Sequence, residues 1–336
     1  MALPHGKIPL EILQQVIFKN LGAKRSEVVL GPSAGIDGAI IDLGKKSLIV
    51  SMDPITGALE RVGWLAVNIN ANDVATFGVQ PEYLLSCILL PENAERITVE
   101  TISMQMGKAA KDLEIAIIGG HCEVTPGLSN PIVVGCTIGT TEKGNYVTAG
   151  GAKHGDKIIL TKSAGIEGTA ILASDKTRLL EKTMSHKMLL NAQQFFDQVS
   201  VVKEAIATFK TGGAHAMHDP TEGGIAGGIH EMADASNLGV KVLEENIMIK
   251  PETREICSFF KIDPLQLIGS GALLIAVKRN AAESIIETLK QNGIYASVIG
   301  EFLKESNKRI LVKKNGKPEP LPRPPSDHLW NALSQN

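Results

Sequence analysis

A polar, glycine-rich stretch, TEKGNYVTAGGAKHGDK (residues 141–157), interrupts a chain that otherwise alternates apolar strand-like runs with helical patterns. The texture changes here, which marks the stretch as a domain boundary. The division expected is 1–148 and 149–336, and a chain of 336 residues is long enough for two ordinary domains. Strand-like and helical runs alternate on both sides of the break, which makes the class α/β or α+β.

Before the break, LEILQQVIFKNL (10–21) places Leu10, Leu13, Ile17 and Leu21 on one helical face. SLIVSMD (47–53), YLLSCILLP (83–91), EIAIIGG (114–120) and PIVVGCTIGT (131–140) read as strands, and GWLAVNINANDVATFGVQP (63–81) as a helix up to Gly78. A helix capped by Thr98 follows the second strand, with Val99, Ile102, Met106, Ala109 and Leu113 at helical spacing. After the break, KIILT (157–161) and ALLIAVK (272–278) are buried strands, the latter followed by a helix at about 281–291. The proline-rich tail is expected to be extended until a short final turn.

Lys+Arg (34) and Asp+Glu (36) nearly balance, and aromatic content is 4%, so neither a basic footprint nor a stacking platform for nucleic acid is present. No apolar run approaches the 18 residues of a membrane span, and no basic-then-apolar leader opens the chain. The four cysteines (Cys87, Cys122, Cys136, Cys257) form no C-x-x-C pair and read as reduced thiols of a cytoplasmic protein.

Chemistry-bearing residues collect at a few places. GGHCEVTPG sets His121, Cys122 and Glu123 side by side after a strand. Asp37 lies in a glycine-rich loop, Asp53 closes a strand, and Asp73 interrupts an apolar helical pattern. An acid bordering apolar segments must be solvated, paired or metal-bound, because burying a bare carboxylate is very costly. Several such acids from distant segments suggest a Mg²⁺–phosphate site, although each alone is also a common cap or turn residue. His215 and His218 would make a zinc site only with further ligands, and no cysteine or further histidine stands near them in sequence.

Taken in order, GIDGAIIDL, LIVSMD, GWLAVNINANDVATFGVQPEYLL, AIIGGHCEVTPG and HDPTEGGIAGGIHEMA resemble the PurM superfamily. Its members include aminoimidazole ribonucleotide (AIR) synthase, the hydrogenase maturation protein HypE, selenophosphate synthetase and thiamine-monophosphate kinase. The likeness covers roughly residues 5 to 310 and is strongest to HypE and HypE-like proteins. It implies a two-domain fold whose N-terminal domain shares a β-barrel across a homodimer, with ATP in a cleft between the domains. It implies Mg²⁺- and ATP-dependent phosphorylation of a small molecule or a carbamoyl, amide-type oxygen. It also implies roles: Asp37, Asp53, Asn72 and Asp73 would serve Mg²⁺ or the phosphates, and Lys7 stands in a segment that covers the phosphates in some members. Thr221, Gly223 and Gly224 would form a turn into a helix N-terminus, an anion-binding device.

The departures from the family pattern are as informative. Many members have Gly-Asp-Thr where this chain has Gly120-His121-Cys122, so a metal-binding acid is missing. Residues 121 and 123 share a face of an extended segment. Either His121 or Glu123 takes the place of that acid, or the metal count is lower; Glu123 would serve as a magnesium ligand or activate the acceptor, His121 would contact phosphate or act as a general acid, and Cys122 would turn into the core. No reactive cysteine precedes Cys87, which argues against selenophosphate synthetase. HypE carries its reacting group on a C-terminal cysteine, whereas this sequence closes on ALSQN. A second expectation therefore stands beside the enzyme: a nucleotide-binding accessory that works through a protein partner in metalloenzyme maturation.

Overall fold

The computed structural model describes residue 3, residues 5–58 and residues 60–335. It is a mixed α/β structure with two sheets. The first contains β1 (Val28–Leu30), β2 (Ala39–Leu43), β3 (Lys46–Ile55), β4 (Pro81–Leu90), β5 (Ala116–Val124) and β6 (Ile132–Glu142), in the order β1-β2-β3-β6-β4-β5. Its pairs are antiparallel except β4 with β5. The second contains β7 (Lys157–Thr161), β8 (Ala214–His218), β9 (Gly239–Leu243), β10 (Leu274–Val277), β11 (Ala296–Leu303), β12 (Arg309–Val312) and β13 (Pro318–Pro320), in the order β13-β12-β9-β11-β7-β10-β8.

The helix Val62–Thr76 organises the whole. Every one of its residues is buried. It packs on β3 and β6, on the helix Arg96–Asp112, and on the helix Val202–Lys210 and β8 of the second domain. A helix covered on all sides needs no polar face. Its polar side chains must instead find partners inside. Trp64 Nε1 donates to the Phe196 carbonyl at 2.8 Å, and Asn68 Nδ2 to the Trp64 carbonyl at 2.9 Å. Burial of side chains such as Leu65 and Val67 contributes roughly 1.5–3 kcal/mol each. The helix thus joins the two halves through one continuous core.

Three expectations are corrected. Residues 10–21 do not form one amphipathic helix: a short turn, Leu10–Ile12, runs into a π-helical segment, Leu13–Ile17, and Val16, Ile17 and Leu21 are exposed. Leu10 and Leu13 alone of that face are half-buried, along a groove shared with Pro32, Ala34 and Pro324. Thr98 does not cap its helix, which starts at Arg96 with Glu95 in the cap position and no side-chain cap. Cys122 is exposed and not in the core, because β5 is the outer strand of its sheet and all nine of its residues are exposed.

Candidate functional site

The segment 5–7, the loop before β2, the end of β3 and the residues after it, Ile69 of the Val62–Thr76 helix, the helix Ile166–Asp175, the turn at Thr221 and Glu222, and Leu329 and Trp330 line one cleft between the domains. The cleft has a volume of about 690 Å³, and both Asp37 and Asp53 line it. Asp53 is held through its backbone: its N–H donates to Asn70 Oδ1 at 2.7 Å, and Asn70 Nδ2 returns to the Asp53 carbonyl at 3.1 Å. Asn70 lies one helical turn before Asp73, so a single helix fixes both acids. Asp73 is almost wholly buried behind the cleft wall.

Ser51 Oγ lies 2.7 Å from Asp73 Oδ2 and also contacts the Asp37 carbonyl. A hydroxyl carries a single hydrogen and cannot donate to both. A protonated Asp73 resolves this: its carboxyl donates to Ser51, and Ser51 donates onward to Asp37. The electrostatics agree. Burial, then the charges of Asp53, Asp219 and Asp37, push the Asp73 pKa well above the usual carboxylate range, with the Ser51 contact opposing.

The second domain supplies His218 and Asp219 at the end of β8. His218 is fully buried between two carboxylates, with Nδ1 2.7 Å from Asp37 and Nε2 2.9 Å from Glu231. Ionised carboxylates only accept, so both nitrogens donate and the ring is an imidazolium. Burial works against that charge, but Asp37 and Glu231 outweigh it and raise the His218 pKa well above its ordinary value. Glu231 is held down to about 2: burial opposes, and Lys7 and His218 prevail.

Asp219 is fully buried, and neither of its carboxylate oxygens has a hydrogen-bond partner. Burial and the neighbouring Asp37 push it up to about 8, against the pull of His218. Asp53 rises to about 6 through burial and Asp37, with Lys7 opposing. Carboxylates that raise one another's pKa and include orphaned oxygens fit a divalent cation with oxygen ligands, as Mg²⁺ is. Asp37, His218 and Asp219 each place one ligand-type atom within 4.8 Å of the others. His218 has both nitrogens occupied by carboxylates, so the atoms there that could take a cation are those of Asp37 and Asp219.

The other sequence candidates are placed as follows. Lys7 lines the cleft; its backbone N–H donates to Glu222 at 2.7 Å, and its ammonium meets Glu231 at 3.0 Å. Glu231 raises its pKa first and burial opposes, but the side chain is half exposed, so solvent screens the pair. The arm approaches closely enough that a Cβ on Gly6 would fall 2.5 Å from Glu222 Oε2 and 2.7 Å from Trp330 Nε1.

Asn72 Nδ2 donates to the Val199 carbonyl at 2.8 Å, and its Oδ1 accepts from Val201 N–H at 2.7 Å. Both ends of its amide are engaged in clamping the two domains. Thr221 lines the cleft, and Gly223 (φ 84°) and Gly224 (φ 60°) make the expected turn into the helix. The turn's N–H groups, however, are already occupied: Gly223 by Asp327 at 2.7 Å, Gly224 by the Thr221 carbonyl, Ala226 by the Leu265 carbonyl and Gly227 by the Gly223 carbonyl. Four N–H groups at this helix start are therefore already engaged within the chain. Asp327 lies a hundred residues away in the proline-rich tail, and no local motif signals it.

His121 and Glu123 share a face as expected, with Nε2 3.1 Å from Oε2. The Thr125 hydroxyl and His121 hold the exposed Glu123 carboxylate low. Both residues stand on the outer strand β5 and do not line the cleft of their own chain. Cys257 is buried in the helix Pro251–Phe260, and burial pushes its thiol up to about 12, which leaves it inert.

A two-sheet α/β chain with an acid-rich cleft between its domains defines the class. The match to family descriptions then identifies it: residues 35–141 match the N-terminal domain of AIR synthase related protein and residues 153–313 its C-terminal domain. The chain belongs to this AIR synthase-related (PurM) superfamily and is HypE-like within it. A putative hydrogenase expression/formation protein of Methanocaldococcus jannaschii is 30% identical over 315 residues, covering 92% of this chain and 91% of that protein. Carbamoyl dehydratase HypE of Rhizobium leguminosarum bv. viciae is 29% identical over 254 residues, covering 74% of this chain and 69% of that protein. Among solved structures, a HypE–HypF complex superposes with a TM-score of 0.78 at 22% identity, over 93% of this chain and 99% of that one. HypE in complex with ATP superposes with a TM-score of 0.74 at 22% identity, over 98% of each chain.

Proposed function

We propose that the chain is a Mg²⁺- and ATP-dependent phosphoryl-transfer enzyme whose nucleotide phosphates lie in the cleft between its domains. The observation that carries this reading is the Asp219 carboxylate, buried with both oxygens unpartnered beside Asp37 and within the field of Asp53. Asp37, Asp53 and Asp219 would hold the cation, with Asp73 behind them as a proton-bearing support. Bound Mg²⁺ would supply charge neutralisation for the transferring phosphoryl group. The remaining work is positioning, since phosphoryl transfer asks little covalent chemistry of the protein. His218 fixes Asp37 and Glu231 across the domain junction. Lys7, half exposed with its ammonium on Glu231, is the cation on the cleft that would turn to the phosphates.

The solved HypE complex with ATP supports nucleotide binding, and the relatives named carbamoyl dehydratase support a carbamoyl or amide-type acceptor. The active unit in this reading is a homodimer. β5 leaves Ile117, Ile118 and Val124 exposed on an outer strand, and sheets cover such edges by pairing. A second copy would bring His121 and Glu123 from its own β5 to complete the neighbouring site, with Glu123 as an additional acid and His121 facing phosphate or acceptor. Purified protein given Mg·ATP and a panel of carbamoyl and amide compounds tests the proposal through ADP release. Acceptor-stimulated turnover supports it; no ADP with any acceptor at saturating Mg·ATP refutes it. A second reading, a nucleotide-binding accessory that acts through a maturation partner, is supported by the solved HypE–HypF complex. It expects ADP only when a partner protein is added.

A further inference from the structure

Asp53 stands on a stretch of strand with one free side. β2 pairs with β3 only as far as Val50, opposite Ala39, whereas β3 runs on to Ile55 with β6 as its neighbour. Among the described residues no strand takes up the other side of that stretch. The backbone groups that face away from β6 still need partners. Asn70 supplies them to Asp53: Oδ1 accepts the Asp53 N–H at 2.7 Å, and Nδ2 donates to the Asp53 carbonyl at 3.1 Å. One side-chain amide thus does what a residue of a further strand would do. Nδ2 also donates to the Ala66 carbonyl at 2.8 Å, which fixes the amide on its own helix.

Other side chains do not fit the role. Ser and Thr offer one polar atom, Asp has no N–H, and Gln is a methylene longer. Room for the amide comes from β6. Gly135 stands opposite Asp53 in register, and a Cβ there would fall 2.5 Å from Asn70 Nδ2 and 2.7 Å from its Cγ. Asn70 is fully buried, and neither it nor Gly135 lines the cleft. Whatever the two residues do for the site therefore passes through Asp53.

A rigidly held acid has a specific effect on a cation site. Mg²⁺ demands near-ideal octahedral geometry at about 2.0–2.1 Å, whereas Ca²⁺ accepts about six to eight oxygens at about 2.3–2.6 Å in flexible arrangements. Holding a carboxylate residue by both its N–H and its carbonyl favours the ion that tolerates the least displacement. We propose that Asn70, with Gly135 making room for it, is a positioning residue that sets the preference of the cation site for Mg²⁺ over Ca²⁺. The inference rests on Asp53 being a cation ligand, as in the phosphoryl-transfer reading, but it is testable without turnover.

Mg²⁺ alone and Ca²⁺ alone are titrated calorimetrically into the full-length protein. The unmodified protein should prefer Mg²⁺. Asn70→Ser and Gly135→Ala should each weaken Mg²⁺ at least about fivefold and Ca²⁺ less than about twofold, and either variant suffices if the other does not fold. Asn68→Ser is the control. It removes another buried amide from the same helix, one whose Nδ2 bonds the Trp64 carbonyl, and should lower stability without moving the ratio of the two affinities. In the Asp53→Asn background, Asn70→Ser should have no further effect on either ion. The clamp is also read without any variant: in the metal-free protein the Asp53 N–H should exchange about a hundredfold more slowly than in an unstructured chain. An unchanged ratio in a folded variant, an additive loss in the double variant, or an unprotected Asp53 amide overturns the proposal and leaves the phosphoryl-transfer reading standing. If the unmodified protein takes up neither ion, or Asp53→Asn leaves Mg²⁺ affinity unchanged, the cation reading of Asp53 falls and the proposal with it. A lowered ratio in the variants, with no ADP formed from Mg·ATP and any acceptor, breaks the phosphoryl-transfer reading and leaves the clamp standing.

Discussion

His218 donates to Asp37 at 2.7 Å across 181 residues of chain, and the same ring meets Glu231 on its other side. One imidazolium therefore ties a loop of the first domain to a helix of the second. Breaking a buried ion pair by removing one partner costs about 3–5 kcal/mol. His218→Ala should lower stability by that order in a denaturant titration and abolish tight Mg·ATP binding. A variant with wild-type midpoint and nucleotide affinity would remove the ring from both roles.

Asp53→Asn and Asp219→Asn should each weaken Mg·ATP binding at limiting Mg²⁺ by tenfold or more, about 1.4 kcal/mol, with the fold retained by circular dichroism. Asp112, exposed on the helix Arg96–Asp112, is the control, and Asp112→Asn should change neither quantity. Unchanged calorimetric affinity for either of the first two variants would exclude that acid from the cation site.

The cation site sets a pH dependence. Asp53 and Asp219 stand at about 6 and about 8 in the fold, against roughly 3.9 unfolded. Both are raised, so the stability they contribute is complete below the unfolded value and is lost as pH rises through 6 to 8. Metal-free protein should therefore melt lower at pH 8.5 than these groups allow at pH 5. Added Mg²⁺ should restore the loss, raising Tm by about 3 °C or more at pH 8.5 and by little at pH 5. Glu231, held at about 2, loses its contribution only in strong acid and does not blur the window. A magnesium effect independent of pH, or one that persists in Asp219→Asn, would refute the assignment.

Asn72 satisfies Val199 and Val201 at once. Asn72→Ala should cost about 2–4 kcal/mol, because it leaves a buried N–H and a buried carbonyl unpaired. Measured by urea unfolding, that loss should come with unchanged Mg·ATP affinity for the folded fraction. A large drop in affinity with little loss of stability would return Asn72 to the phosphate site.

The exposed strand β5 predicts twice the chain mass by light scattering at micromolar concentration. Ile118→Lys, on an exposed position of that strand, should shift the protein towards monomer and reduce turnover together with mass. Glu123→Gln and His121→Ala should lower turnover at least about tenfold without changing mass, on the order of 1.4 kcal/mol in the barrier. Cys122→Ala should be silent. A monomer with full ATP-dependent activity would defeat the shared-site arrangement.

Much of this protein is written locally. Apolar runs such as KIILT and ALLIAVK must be buried strands wherever they fall, and the acids Asp37, Asp53 and Asp73 stand out because apolar neighbours give an unpaired carboxylate no solvent. The order of the five motif blocks carries the family, since each block is short-range in sequence. What local pattern cannot carry is which groups already have partners. Asn72 reads like a phosphate ligand until residues 199–201 arrive to occupy both ends of its amide. The Gly223–Gly224 turn reads like an anion site until Asp327 reaches it from the tail. Asp219 reads like an ordinary turn acid until the fold buries it and leaves both of its carboxylate oxygens without a partner. Hydrogen bonds and buried charges are satisfied or orphaned by contacts between distant segments, so tertiary structure alone decided which polar side chains remain free to bind.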